Sequence, residues 1–106
     1  MRDALNTQAE KIAASVDPLC IAIKEFRDGL EDYNRNAPED DVAANLYAAA
    51  SYRPKRQVIE RWANPAQTLR GAVDALRLAD EASEDDDYAV VQPMIRAALA
   101  YLEAAR

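Results

Sequence analysis

Between Asn64 and Ser83 the chain reads NPAQTLRGAVDALRLADEAS, and this stretch constrains the fold more than any other. Asn64 suits a helix cap, and Pro65 suits the first helical turn, where a missing N–H costs nothing. On a helical projection Gln67, Arg70, Asp74, Arg77 and Glu81 share one narrow sector. Leu69, Gly71, Ala72, Val73, Ala75, Leu76, Leu78, Ala79 and Ala82 occupy the rest. A surface helix shows one apolar stripe, whereas a helix that is apolar most of the way round is enclosed by neighbours. The stretch therefore predicts a central helix at about 65–83. Gly71, Ala75, Leu78 and Ala82 line one side of it, and the expected use of such small residues is close packing within the chain. Asp80, at the edge of the apolar side, needs an arginine or solvent.

The second helical signal lies upstream. Leu5, Ala9, Ile12, Val16, Leu19, Ile23, Phe26, Leu30 and Tyr33 are spaced alternately four and three apart, a sustained heptad. Asp17-Pro18 sits inside it and can be read as a break with a new cap. The apolar phase does not shift across the pair, however. The favoured reading is one long N-terminal helix kinked at Pro18. Such a helix spans roughly 45–50 Å, longer than a compact domain of this size, so an elongated shape or a partner is expected.

Asn34 to Asp41 reads as a connector leading into a helix start, with Pro38 in the first turn and Glu39, Asp40 and Asp41 at the positive end of the helix dipole. That helix places Val42, Leu46, Ala49 and Ala50 on one face and ends near Tyr52, since Arg53 precedes a proline. Pro54 opens a short helix with Val58, Ile59 and Trp62 inward. A last helix spans about Asp86 to Ala105, with Pro93 in its second turn. Its main apolar set is Tyr88, Val91, Ile95, Ala98, Leu99 and Leu102, and Val90, Met94 and Tyr101 form a second stripe. So little polar surface on a last helix calls for a wrapping chain or a docking partner.

Composition agrees. Half of the 106 residues are hydrophobic and only two are glycine, which favours helix over turn-rich sheet. The expected fold is all-α, a four- to five-helix bundle in one domain, 1–106.

Several chemistries lack their residues. The chain has no histidine, so His phosphotransfer, His-activated nucleophiles and His metal ligands are ruled out. The single cysteine, Cys20, cannot form an intrachain disulfide and points to a reducing, cytoplasmic setting. Its apolar neighbours and the missing base make it an inert thiol rather than a nucleophile. No apolar run approaches membrane-spanning length, and MRDALNTQAEK lacks a signal peptide's apolar core. A net charge of −6 disfavours nucleic acid as a partner.

Three constellations remain. Glu25, Asp28, Glu31 and Asp32, facing Glu81 and Glu84, would suit a small all-helical enzyme that uses carboxylates with a divalent metal; a solvated face interleaved with Lys24 and Arg27 is the preferred reading. Glu84-Asp85-Asp86-Asp87 lacks the glycine and ligand spacing of a calcium loop and reads as a helix cap. Arg53, Lys55, Arg56 and Arg61, near Tyr47, Tyr52 and Trp62, would suit a nucleic-acid-associated regulator, although Trp62 reads as core or interface. With no catalytic constellation and no cofactor expected, surplus apolar surface favours a non-catalytic protein–protein interaction module that self-associates as a homodimer. Arg53, Lys55, Arg56, Arg61, Val90, Met94 and Tyr101 are its expected partner contacts.

Overall fold

The computed structural model describes residues 16–105. These form five helices and no strand: α1 Pro18–Asn36, α2 Asp41–Ala50, α3 Arg53–Glu60, α4 Leu69–Glu84 and α5 Tyr88–Ala104. The all-α expectation holds. The helices make two layers. An antiparallel hairpin of α4 and α5 forms one layer and has the most extensive contact in the molecule. Across it lie α1, packed on α4, and α3, packed on α5; α1 and α3 also pack on each other, and α2 rests mainly on α3.

The core lies between the layers. Leu19, Ile23 and Phe26 of α1 meet Ile59 of α3, Ala72, Ala75, Leu78 and Ala79 of α4, and Val90, Met94 and Ala98 of α5. The inward residues of α1 are those of its heptad, with Leu30 packed at the margin. Alanines on α4 let α1 and α5 come close, and the long, unbranched Met94 fills the space that remains.

The single kinked N-terminal helix is corrected at Asp17. Its backbone is extended (φ −72°, ψ 116°), and α1 starts afresh at Pro18 with Asp17 as its cap. Proline at the start of a helix forfeits no hydrogen bond, whereas within a helix it would. The apolar phase survives this break and so gave no sign of it. Leu5, Ala9 and Ile12 lie outside the described residues.

Asp17 does more than cap one helix. One carboxylate oxygen accepts from the Leu19 N–H at 3.0 Å. The other accepts from the Gln67 N–H at 3.2 Å, the Thr68 N–H at 3.0 Å and the Thr68 hydroxyl at 2.7 Å. Thr68 in turn caps α4, its Oγ1 accepting from the Gly71 N–H at 3.0 Å. One carboxylate, only 1% exposed, thus ties together the N-termini of α1 and α4. Both positive dipole ends favour its charge there, and four donors offset the desolvation that an unpartnered buried carboxylate would suffer. Gly71 is required by the same contact, because a Cβ at this position would overlap the Asp17 carboxylate.

Thr68 also moves the start of the central helix. The helix begins at Leu69, not at Pro65, and Asn64-Pro65 lie in the non-helical connection after α3. That connection is pinned to α5 by the Ala66 N–H, which donates to the Ala97 carbonyl at 3.0 Å. Pro38 likewise precedes its helix rather than entering it; Asp40 is the cap, accepting from the Ala43 N–H at 2.9 Å. Pro54 opens α3 as the sequence predicts. Pro93 lies inside α5, one turn from its start, and is buried.

Candidate interaction surface

The carboxylates of α1 do not converge. Asp28 pairs with Lys24 at 2.7 Å, Glu31 with Arg35 at 2.7 Å and Glu25 with Lys55 of α3 at 3.0 Å. Asp32 accepts from the Tyr47 hydroxyl at 2.6 Å and from the Asn36 amide at 2.8 Å, and these bonds, led by the hydroxyl, hold its carboxyl below its ordinary pKa. Glu81 pairs with Arg27 at 2.8 Å. Among the described residues no three His, Cys, Asp or Glu side chains cluster as metal ligands would.

The basic residues after α2 are also spent locally. Arg53 donates to the Asn45 side chain at 2.8 Å, and Lys55 is held by Glu25. Arg56 bridges Glu60 at 3.0 Å and Asp87 at 2.6 Å, tying α3 to the α4–α5 turn. Those two acids, Asp87 foremost, raise the guanidinium pKa further. Arg61 is exposed beside Trp62, which packs against the core. The cluster is thus a set of ties between helices, not a continuous basic face.

Cys20 lies in a groove of about 700 Å³ between α1 and α4, near Lys24, Arg27, Asp74 and Arg77. Burial, and then the Asp17 and Asp74 carboxylates, push its thiol up to about 11. Thiolate, the reactive form, is therefore suppressed.

The rotation of α5 departs from the sequence reading. Val90 and Met94, expected as partner contacts, are core residues at 1% and 0% exposure, and Tyr101 packs against that core. Val90 and Met94 therefore offer no surface, whereas Tyr101 is partly exposed. The stripe expected to be the main inward set is largely outside: Tyr88, Ile95, Leu99 and Leu102 are exposed, although Val91 and Ala98 are buried. Both stripes have helical spacing. The small-residue face of α4, which accepts the long Met94, selects between them.

Two residues of α4 join the outer stripe. Arg70, Asp74, Arg77 and Glu81 line the α1 side of α4; Leu69 and Leu76 project from the side away from it. On α5, Pro93, Arg96, Ala97 and Ala100 face the connection after α3; the Tyr88 stripe projects away from that. In an antiparallel hairpin these two away sides coincide, because the sense of helix rotation reverses along with chain direction. Leu76 and Ile95 lie at nearly equal distances from the turn, as do Leu69 and Leu102, so the side chains form one patch. Its six large apolar residues are 42–59% exposed. Neither α1, α2 nor α3 covers it. Val42 and Leu46 of α2 are more exposed still, at 70% and 69%, but form a much smaller patch.

Among the described residues no helix is long and apolar enough to cross a membrane. No family model matches the chain, and neither do any characterised protein or solved structure with which it was compared.

Proposed function

We propose that this protein is a non-catalytic protein–protein interaction module of the cytoplasm and that the outer face of the α4–α5 layer is its contact surface. The observation that carries the reading is the patch of Leu69, Leu76, Tyr88, Ile95, Leu99 and Leu102 on one side of a two-helix layer. Exposed apolar area of roughly 500 Å² stands at the upper end for a monomer and marks sites where another surface docks. The cytoplasmic setting is supported by the lone cysteine, which disulfide-stapled secreted domains do not favour. Dispersal of the α1 carboxylates into ion pairs weighs against the metal-dependent enzyme reading. Local neutralisation of Lys55 and Arg56 weighs against nucleic acid.

The test is affinity co-purification from the native cell with wild-type and Leu99→Glu chains as bait. The expected result is a protein retained by the wild type and lost with the variant, while far-ultraviolet circular dichroism of the two chains coincides. Equal retention by both would place the contact elsewhere. Retention of nothing by the wild type, together with no self-association, would leave the face without a role.

A further inference from the structure

We infer that the occupant of the outer α4–α5 face is a second copy of this chain, docked about a twofold axis lying in the plane of that face. The inference rests on the assignment of this face as the contact surface. The first argument is shape. A two-helix layer whose outer side carries an apolar stripe on each helix is half of a four-helix arrangement, and a second such layer completes it. With the axis in the interface plane, each helix lies against an antiparallel neighbour when the axis runs either along the helices or across them. On α5, Ile95, Leu99 and Leu102 are spaced four and three apart, as in the seam of packed helices. On α4, Leu69, Val73 and Leu76 repeat that spacing. A twofold interface requires such self-complementarity, because the same patch serves both partners.

The second argument is area. Roughly 500 Å² of apolar side chain, together with the bordering Val73, Asp80, Ser83 and Gln92, approaches the about 800 Å² per partner of a standard stable interface.

The experiment is sedimentation velocity of the full chain over a concentration series, for the wild type, Leu99→Glu and Val42→Glu. The expected result is a mass shift from monomer to dimer in the micromolar range for the wild type and Val42→Glu. Leu99→Glu should dissociate at least about thirtyfold more readily, as for a central interface residue made charged. A wild type that stays monomeric throughout overturns the second copy as occupant, and so does a dimer lost with Val42→Glu but kept with Leu99→Glu. If the wild type is monomeric yet still retains a cellular protein that Leu99→Glu loses, the contact face stands and only its occupant is wrong. If neither occurs, both fall.

Discussion

On the inner side of the α4–α5 layer, Val90, Met94 and Leu78 are closed off by α1 and α3; on the outer side, Ile95, Leu99 and Leu76, no less apolar, are half exposed. Hydrophobicity does not separate the two sides. What separates them is the shape of the neighbour and one polar clamp. The inner side meets alanines and Gly71, which let backbones approach, and is held in register at one end by Asp17. The outer side offers larger side chains and, among the described residues, no such clamp and no opposing layer. The contrast teaches that a small bundle can close its core fully and still carry a second apolar face that its own folding does not cover.

The contrast is tested most severely by truncating matched residues on the two sides. Met94→Ala should cost about 2–5 kcal/mol, since a fully buried side chain leaves a cavity that its neighbours only partly fill. Leu99→Ala should cost under about 1 kcal/mol at protein concentrations low enough for monomer, and more as concentration rises. Urea unfolding at two concentrations separates the two terms. Equal costs at low concentration would mean that the outer face is covered within the monomer.

Next in size is the clamp. Asp17→Ala removes the acceptor of four hydrogen bonds and leaves the Gln67 and Thr68 N–H groups without their partner. A loss of about 3 kcal/mol is expected, combining a lost cap with buried unsatisfied donors. Amide exchange should accelerate most at Leu19, Gln67 and Thr68. A loss confined to α1 would show that Asp17 is an ordinary cap and not a tie between layers.

How much of this was legible in the sequence follows from where each signal resides. The inward face of α1, the start of α3 at Pro54 and the acidic approach to α2 were readable, because periodicity and cap chemistry are local. The clamp was not: Asp17 and Thr68 are 51 positions apart, and no pattern on either side marks the pairing. Without Thr68 as cap, Asn64-Pro65 looked like the better start for the central helix. The rotation of α5 was illegible for a different reason. Tyr88, Ile95 and Leu99, and equally Val90, Met94 and Tyr101, are spaced to make a helical stripe, and only the partner face decides which turns inward. Val90 and Met94, expected at a contact surface, therefore lie in the core instead. Likewise the α1 carboxylates looked like a cluster because their pairing with Lys55 and Arg27 depends on how helices distant in sequence pack.

A smaller effect probes how closely the layer opposite α4–α5 is fitted. Gly29 lies mid-helix in α1, where alanine ordinarily gains about 1 kcal/mol. A Cβ there would sit 3.0 Å from both the Ser51 carbonyl oxygen and the Tyr52 Cα, backbone atoms that cannot swing aside. Gly29→Ala should therefore lose about 1 kcal/mol instead of gaining it. Thermal unfolding checks the sign, and a gain would show that the α2–α3 junction yields.

The smallest expected effect on stability is at Cys20, where chemistry is the sharper readout. Burial and then the Asp17 and Asp74 carboxylates push the folded thiol up to about 11 from an ordinary 9.0. Because the folded pKa is the higher, the neutral thiol's contribution to stability is intact below pH 9.0 and fades as pH climbs from there toward about 11. At pH 8 the folded protein should react with a disulfide reagent at least about tenfold more slowly than the same chain in denaturant, since reaction follows the thiolate fraction and access. Asp74→Asn removes one of the two carboxylates that raise the pKa and should bring part of that rate back; Asp17 is unsuited to the test because it also holds the helix starts together. An unchanged rate in Asp74→Asn would assign the protection to burial alone and make the α1–α4 groove a tighter cover than its charged lining suggests. A folded rate equal to the unfolded one would mean instead that α1 and α4 part readily, and that the closed inner side of the layer is less closed than Met94 and Leu19 make it look.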